Sequence, residues 1–156
     1  MLTAAQRRLN MSRVRGRDTR PEMIVRRGLH ALGHRFRLHR RDLPGRPDLV
    51  MPAHRAALFV HGCFWHGHEC PLFRLPSTRR DFWATKIAGN RTRDKAAVDD
   101  LRNEGWRTAI VWECSLRGRG RLPPGEVIAA LDRFVRGSQG QIEIAGSPEV
   151  STHVGP

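Results

Sequence analysis

The twelve residues FVHGCFWHGHEC, residues 59–70, join the end of an apolar strand to a loop rich in possible metal ligands. They contain two of the three cysteines and three of the eight histidines of the chain. Structural zinc takes four cysteine or histidine ligands in a tetrahedral shell, and an odd number of cysteines fits such a site better than a set of disulfides. The predicted zinc ligands are Cys63, His68, Cys70 and Cys114. His66 is an alternative histidine ligand, and three unrelated buried thiols are the alternative to a metal site.

The patterns around this stretch predict an α/β fold with a mixed central β-sheet. Residues 56–61 are apolar almost throughout, which is typical of a central strand, and a turn-rich segment joins them to a strand at residues 49–51 as a hairpin. The strand at residues 106–113 follows a helical segment, so it is expected to pair in parallel. A short strand is predicted at residues 36–38. The flanking helices are predicted at residues 19–32, 77–87, 90–103 and 124–136.

Arginine dominates the charge of this chain. Lysine and arginine total 28 against 15 acidic residues, a formal net charge of +13 over 156 residues. Guanidinium groups bind phosphates and guanine edges in paired hydrogen bonds, so we expect a nucleic acid partner and salt-dependent binding; a coding bias toward arginine is the alternative. The sequence lacks both a run of about 18 apolar residues and the apolar core of a signal peptide. Thiols spaced as metal ligands fit the reducing cytoplasm.

The predicted domain organisation has three parts. Residues 1–20 form a basic arm that we expect to bind DNA phosphates, and within it Met11 is either an anchor on the core or a wedge between bases. Residues 21–136 form one folded domain, which is large enough to bury a core. Residues 137–156 are polar and poor in core residues, so a disordered tail is predicted.

Two carboxylates have both a structural and a chemical interpretation. Thr19 and Glu22 have the spacing of a capping box at a helix start, but a carboxylate here also suits a metal site. Asp48 follows the basic turn of residues 43–47 and stands at the entrance of a strand. A carboxylate facing DNA weakens binding unless a metal ion pairs it with phosphate. Asp48 is therefore a candidate magnesium ligand, and an aspartate that bonds its own turn is the alternative.

Adjacent aromatic side chains are a further feature. Phe64 and Trp65 lie inside the loop flanked by cysteines, where a metal site would hold them exposed for stacking on bases; burial in the core is the alternative. Phe82 and Trp83 are neighbours on a predicted helix, so their side chains point about 100° apart. One of them can therefore enter the core while the other faces DNA.

Several motifs in the same order run from about residue 10 to residue 136. The most specific are Pro-Gly-Arg-Pro-Asp at residues 44–48 and His-Gly-Cys-Phe-Trp-His at residues 61–66. The others are Thr19-x-x-Glu22, Phe82-Trp83, Asn90-x-x-Arg93-Asp94, Gly105-Trp106 and Val111-Trp112-Glu113-Cys114. Together they resemble the Vsr family, the very-short-patch-repair DNA mismatch endonucleases. The resemblance implies a restriction-endonuclease-like core and an enzyme that nicks DNA beside the T:G mismatch left when 5-methylcytosine deaminates.

The resemblance also implies catalytic roles. Asp48 would hold magnesium at the scissile phosphate, together with the backbone carbonyl of Val60, where another family member carries threonine. His66 would be the general base for the attacking water, a role that suits a group titrating near neutral pH. His61 would assist at the phosphate or leaving group. Glu22 would contact water bound to the magnesium.

The same resemblance assigns structural and DNA-contacting residues. It removes His66 from the zinc shell, so the zinc would be held by Cys63, His68, Cys70 and Cys114. An aromatic wedge would enter the duplex beside the mismatch, where unstacking is least costly. Its matching residues are Phe64, Trp65, Trp83 and, from the other groove, Met11.

The functional hypothesis is a magnesium-dependent, strand-specific DNA endonuclease with a structural zinc. We expect a cytoplasmic monomer that acts on double-stranded DNA with a T:G mismatch, with mismatch-repair proteins as further partners. An alternative from another class of protein is a DNA-binding module that structural zinc stabilises and that has no catalytic activity. A restriction-type nuclease on matched DNA is the alternative among enzymes. The combination of Asp48, His66, His61 and Glu22 favours catalysis, because binding alone requires none of them.

Overall fold

The computed structural model describes Thr3 and residues 18–148, and these form one sheet between two helical layers. The helices are α1 (Arg20–Ala31), α2 (Arg80–Asn103) and α3 (Pro124–Arg136). The strands are β1 (Arg37–Leu38), β2 (Leu49–Met51), β3 (Ala56–His61), β4 (Arg107–Trp112) and β5 (Gln141–Ile144). Short 3-10 turns at Pro52–His54 and Glu113–Ser115 follow β2 and β4. No helix among these described residues has the length and apolar character that a membrane crossing requires.

The five strands form one mixed sheet in the order β1-β2-β3-β4-β5. β1, β2 and β3 pair antiparallel, whereas β3, β4 and β5 pair parallel. This topology confirms the predicted hairpin of β2 and β3 and the predicted parallel pairing of β4. His61 lies opposite Trp112 in the register of β3 and β4. The segments that follow these two strands therefore start side by side at one edge of the sheet.

Alternation along the strands divides the core into two clusters, as expected for a sheet covered on both faces. Ala109 and Val111 of β4 belong to the cluster under α1 and α3, and Ile110 and Trp112 belong to the cluster under α2. The face of α3 that is buried is the face that the spacing of its apolar residues predicts. Its buried residues include Val127, Ile128, Leu131 and Phe134. The α/β class and the mixed sheet flanked by helices are therefore confirmed.

α2 differs from the prediction of separate helices at residues 77–87 and 90–103. It is a single helix of 24 residues that continues through Gly89 and Asn90. The side-chain amide of Asn90 donates a hydrogen bond to the Trp65 carbonyl at 2.9 Å, which ties this turn of the helix to the loop after β3. A tertiary contact therefore stabilises the helix where the sequence pattern indicates a break.

The starts of α1 and α2 follow different rules. At α1, Oγ1 of Thr19 accepts a hydrogen bond from the backbone N–H of Glu22 at 3.4 Å, so the predicted cap is present. At α2, the residue before the helix is Arg79 in the left-handed region, with φ 56° and no side-chain cap. The predicted helix start at residue 77 is therefore wrong, because the helix begins at Arg80.

β5 shows that the prediction of a disordered tail at residues 137–156 is wrong for the part that the structure describes. The strand pairs in parallel with β4. Ile142 and Ile144 pack against the cluster under α1 and α3, and Glu143 accepts a hydrogen bond from the indole N–H of Trp112 at 3.0 Å. Only two apolar residues mark this strand in the sequence, and it depends on the free edge that β4 offers.

Parts of two predictions fall outside the described residues. The arm at residues 1–20 is described only at Thr3 and residues 18–20, so Met11 lies outside. The same holds for residues 149–156 of the tail. The proposed DNA-binding role of the arm therefore stays a prediction.

Close packing of α1 on α3 generates a stability prediction at Gly28. A Cβ atom added there would lie 2.5 Å from Cγ1 and Cδ1 of Ile128, a stiff, β-branched side chain. We predict that Gly28→Ala lowers the free energy of unfolding by about 1–3 kcal/mol, as overpacking does, despite the higher helix propensity of alanine. Urea denaturation measures the difference. Gly125→Ala is the control, since a Cβ there meets nothing within 4 Å; equal stability of the two variants would contradict the close approach.

Candidate active site and metal centre

Both segments that carry the cysteines start at the edge where β3 and β4 end. The loop of residues 62–70 follows β3, and Cys114 lies in the 3-10 turn after β4. The Sγ atoms of Cys63 and Cys114 each lie 3.6 Å from Nδ1 of His68. Cys70 completes a group whose possible ligand atoms all lie within 4.8 Å of one another. The structure thus brings together the four residues predicted to bind zinc.

The surroundings of these thiols oppose their ionisation. Burial is the main cause that raises the pKa of the Cys63 and Cys114 thiols, and the neighbouring Cys70 adds to the rise. Two backbone hydrogen bonds oppose it, from the N–H of Cys114 to Sγ of Cys63 and from the N–H of Gly146 to Sγ of Cys114, each at 3.3 Å. Thiolates at this position therefore require a positive charge beside them, as a metal ion provides.

Asp48 stands at the entrance of β2, beside the end of β3. Its Oδ2 accepts a hydrogen bond from the backbone N–H of Val60 at 2.7 Å, and its Oδ1 lies 4.0 Å from Nε2 of His39. Burial raises the pKa of Asp48 to about 7, the hydrogen bond from Val60 opposes the rise, and the nearby Glu22 carboxylate adds to it. Near neutral pH this carboxyl group is therefore only partly ionised, and a bound cation would favour its ionised form.

Glu22 and His39 border Asp48. Glu22 lies in the first turn of α1, where only 2% of the residue is exposed. Nε2 of His39 lies 3.0 Å from both carboxylate oxygens of Glu22. The backbone N–H of Asp18 and the guanidinium of Arg26 donate to the same carboxylate, each at 3.3 Å. The Glu22 side chain therefore belongs to the group around Asp48 as well as to the start of the helix.

His61 and His66 form a second group at the end of β3. Their rings are parallel, with centroids 3.7 Å apart. Oδ2 of Asp94, on α2, lies 2.5 Å from Nδ1 of His66. Since an ionised carboxylate only accepts hydrogen bonds, Asp94 places the proton of His66 on Nδ1 and leaves Nε2 as an acceptor. Burial, and secondarily His66, lower the pKa of His61 well below its usual value, so His61 is neutral at pH 7.

One cleft of about 1570 Å³ joins the two groups, and its walls include Glu22, His39, Asp48, His61 and His66. Arginines border the same cleft. They are Arg20, Arg41, Arg46, Arg93, Arg117 and Arg121. Four carboxylates, those of Glu22, Asp48, Asp94 and Glu113, line the cleft as well. The excess of arginines attracts a polyanion, and the carboxylates oppose that attraction unless a cation neutralises them.

The aromatic residues predicted to form a wedge lie together. Phe64 and Trp65 line the cleft, and the ring of Trp83 lies 5.6 Å and 5.7 Å from theirs. Trp65 is only 8% exposed, whereas Phe82, which lies beneath the guanidinium of Arg79, is 44% exposed. Insertion of Trp65 between bases would therefore require its release from this cluster.

Two residues of the site received no role from the sequence. Asp94 belongs to a motif that the resemblance matched, so its four-residue spacing from Asn90 on one helix face was an available signal. His39 had no such signal. It follows a strand of two residues, and a strand this short does not define a register from its pattern alone.

Known proteins of one family match most of this chain. The family profile described as DNA mismatch endonuclease Vsr matches residues 1–72. The chain is 42% identical over 144 residues to the DNA mismatch endonuclease Vsr of Escherichia coli (strain K12), which covers 91% of this chain and 92% of the relative. The chain belongs to the Vsr family. It is also 54% identical over 121 residues to the Type II nicking enzyme V.XorIIP of Xanthomonas oryzae pv. oryzae, covering 78% of this chain and 89% of that relative.

A third Vsr-family relative is more distant. It is the Type II nicking enzyme V.NmeAIP of Neisseria meningitidis serogroup A, 34% identical over 119 residues, 76% of this chain and 85% of the relative. Membership of the Vsr family confirms the predicted resemblance and the predicted enzyme class, a DNA endonuclease.

Asp48 makes the stability of this Vsr-family chain depend on pH. Its pKa is raised from an ordinary 3.8 to about 7 on folding, so between these values the unfolded chain ionises first and the folded state loses stability as pH rises. We predict that Asp48→Asn raises the midpoint of thermal unfolding in magnesium-free buffer at pH 8, and that the gain disappears toward pH 4. Thermal denaturation followed by circular dichroism across this range measures it.

Asp42→Asn is the control for this prediction. Asp42 is paired with Arg40 at the surface, which lowers the pKa of the Asp42 carboxyl, so its removal brings no gain at pH 8. A midpoint for Asp48→Asn that is lower than wild type at pH 8, or a gain of equal size at pH 4, would show that Asp48 is not held in an unfavourable charged state.

Proposed function

We propose that this chain is a magnesium-dependent, strand-specific DNA endonuclease that nicks beside T:G mismatches from 5-methylcytosine deamination, in very short patch mismatch repair. The observation that carries the proposal is the meeting of two carboxylates, Asp48 and Glu22, with a histidine oriented by Asp94 in one arginine-bordered cleft. DNA binding alone requires arginines but no oriented base beside carboxylates. The name of the relative in Escherichia coli, a DNA mismatch endonuclease, supports the mismatch as substrate.

The donors around Asp48 fit magnesium, which prefers oxygen ligands. The N–H and C=O of one residue in an extended strand lie on the same side. The N–H of Val60 donates to the Asp48 side chain, so the carbonyl of Val60 also points to the Asp48 side of β3. Val60 lies beyond Leu58, the last residue of β3 that pairs with β2 at this end. Asp48 and this carbonyl would hold the ion, with Glu22 reaching it through water. Magnesium, when bound, neutralises charge that develops at the scissile phosphate.

His66 has the arrangement of a general base. Its Nε2 accepts the proton of the attacking water, and Asp94 stabilises the positive charge that the ring then carries. His61 stays neutral beside it and can donate to the phosphate or leaving-group oxygen. The arginines of the cleft hold the flanking phosphates, which positions the scissile bond between the histidines and the carboxylates.

The cluster of Cys63, His68, Cys70 and Cys114 fits a structural zinc. Zn–S distances of about 2.3 Å and Zn–N distances of about 2.0–2.1 Å at a tetrahedral ion separate sulfur from nitrogen by about 3.6 Å. The two Sγ–Nδ1 distances are 3.6 Å. His68 would therefore bind through Nδ1. A zinc ion that joins the segments after β3 and β4, at one edge of a mixed five-stranded sheet, is also compatible with the restriction-endonuclease-like core that we expect.

The remaining parts of the proposal concern recognition. Phe64, Trp65 and Trp83 would act as the wedge at the mismatch, with Met11 entering from the other groove. We expect a monomer in the cytoplasm, where reduced thiols can bind zinc, with mismatch-repair proteins as further partners. A restriction-type nuclease on matched DNA is the second candidate, because two relatives are named Type II nicking enzymes.

A nicking assay tests the reaction and the substrate. The full-length chain is incubated with end-labelled duplexes that carry T:G, T:A or C:G at one position, with and without magnesium. We expect a single nick beside the mismatched thymine, in the T:G duplex only, and no nick without magnesium. Equal cutting of all three duplexes would favour the restriction-type nuclease, and tight mismatch binding without a nick would favour the binding module.

The same assay tests the role of Asp48. We predict that Asp48→Asn slows nicking roughly a thousandfold, because metal stabilisation is worth several kcal/mol and each 1.36 kcal/mol is tenfold in rate. Binding to the T:G duplex should change little. Asp42→Asn, a surface carboxylate outside the cleft, is the control. A nicking rate within tenfold of wild type would remove Asp48 from the proposed site.

Zinc removal tests the cluster. We predict that His68→Gln abolishes bound zinc and lowers the unfolding midpoint strongly, since structural zinc contributes about 10–16 kcal/mol of binding energy in small fingers. His30→Gln, an exposed histidine on α1, is the matched control. Zinc per chain is measured by atomic absorption, and stability by thermal denaturation. Unchanged zinc content in His68→Gln would exclude this residue as a ligand.

A further inference from the structure

His39 lies opposite the central carboxylate of the site. Its backbone N–H donates to the carbonyl of Asp48 at 3.0 Å, which extends the β1–β2 pairing by one residue. The φ angle of His39 is 48°, in the left-handed region that non-glycine residues adopt rarely and at a cost. Strained residues of this kind concentrate at functional sites. The backbone here bends out of β1 where its side chain lines the cleft.

The His39 side chain contacts both carboxylates of the candidate magnesium site. Nε2 is 3.0 Å from Oε1 and from Oε2 of Glu22, and 4.0 Å from Oδ1 of Asp48. Its side chain is 15% exposed, so the rest of the ring is enclosed by protein. Because the Glu22 carboxylate accepts hydrogen bonds, the proton of a neutral imidazole at this position lies on Nε2.

Two neighbouring carboxylates repel each other, and the repulsion favours a rotamer in which one of them turns away. Glu22 also accepts hydrogen bonds from the guanidinium of Arg26 and from the backbone N–H of Asp18, each at 3.3 Å, so other donors compete with His39 for its carboxylate. Among these donors, His39 is the one whose side chain also approaches Asp48, with Nε2 4.0 Å from Oδ1. Donors of this kind, which do not ligate the metal themselves, fix the orientation of the groups that do.

We propose that His39 is a positioning residue of the magnesium site, which holds the Glu22 carboxylate beside Asp48 through its Nε2–H and thereby sets the affinity for magnesium. The proposal rests on the proposed function of the cleft. The proposed role requires a hydrogen-bond donor at this position, but it does not require that the side chain carry a positive charge. Glutamine should therefore substitute for His39, because its amide N–H₂ can reach a similar point, whereas leucine should not.

The test compares His39→Leu with His39→Gln by magnesium binding in the absence of DNA, using isothermal titration calorimetry, and by the magnesium concentration that gives half-maximal nicking. Loss of such a supporting partner typically weakens metal affinity about 10–100-fold. We expect the magnesium affinity of His39→Leu to be weaker by a factor in that range, and the affinity of His39→Gln to stay within about threefold of wild type. The nicking rate at saturating magnesium should change much less than the half-saturation concentration.

Two controls separate positioning from a merely structural role. His54→Leu alters an exposed histidine in the turn between β2 and β3, at the other end of β3 from the site, and should leave magnesium affinity unchanged. Thermal unfolding of His39→Leu in magnesium-free buffer should match wild type within a few degrees. A large drop in that midpoint, shared by His39→Gln, would show that His39 serves the fold and would overturn the proposal.

The outcomes also separate this inference from the proposed function. If the wild-type chain binds magnesium and nicks the T:G duplex, but His39→Leu has the same magnesium affinity, only the role of His39 is refuted. Equal weakening in His39→Leu and His39→Gln refutes the hydrogen-bond donor as the cause. If the wild-type chain neither binds magnesium nor nicks, the proposed function fails and the role of His39 fails with it.

Discussion

The parallel pairing of β3 and β4 is the constraint on which both sites depend. It places His61 opposite Trp112, so the loop that carries Cys63 and the turn that carries Cys114 leave the sheet at the same edge. One alignment of two strands therefore assembles the cysteine cluster and places His61, the first histidine of the candidate active site, beside it. Because side chains alternate between the faces, a slip of one residue in this register would put His61 and Trp112 on opposite faces of the sheet and move the two cysteines apart.

The charges of the cleft are arranged for a cation that the protein alone does not supply. Arginines border the cleft, while Asp48 and Glu22 lie close together within it. Burial, and secondarily the nearby Glu22 carboxylate, raise the pKa of Asp48 and oppose its ionisation in the folded state. Natural proteins often accept such a loss of stability where function requires it. In the proposed function, the same feature would favour binding of a cation together with phosphate, since either one alone leaves charge uncompensated.

Much of the fold was predictable because strong local patterns agree with the tertiary structure. The apolar run of β3, the hairpin, the inward face of α3 and the spacing of the cysteines each carry their own signal. The errors in the predicted fold arise where tertiary contacts, and not the local sequence, determine the secondary structure. Asn90 binds the Trp65 carbonyl and keeps α2 continuous, and β5 forms because β4 offers an edge. His39 was missed for the same reason, since its place beside Asp48 follows from pairing and not from any motif.

The cysteine cluster and the candidate base share one short loop. His66 stands between Cys63 and His68 in the chain, and the ring of His68 stacks on Trp112 with centroids 4.2 Å apart. Trp112 in turn lies edge-on to His61 at 5.3 Å.

Loops are ordinarily the more mobile parts of a fold, yet a general base must be held within a fraction of an ångström of its productive position. Here the loop is fixed at both sides of His66 by residues of the cluster, and Asp94 of α2 fixes the ring itself. Under the proposed function, the cysteine cluster is therefore part of the catalytic geometry, because without a bound metal the base would be oriented only by its contacts with α2, its stacking on His61 and the loop's own few hydrogen bonds.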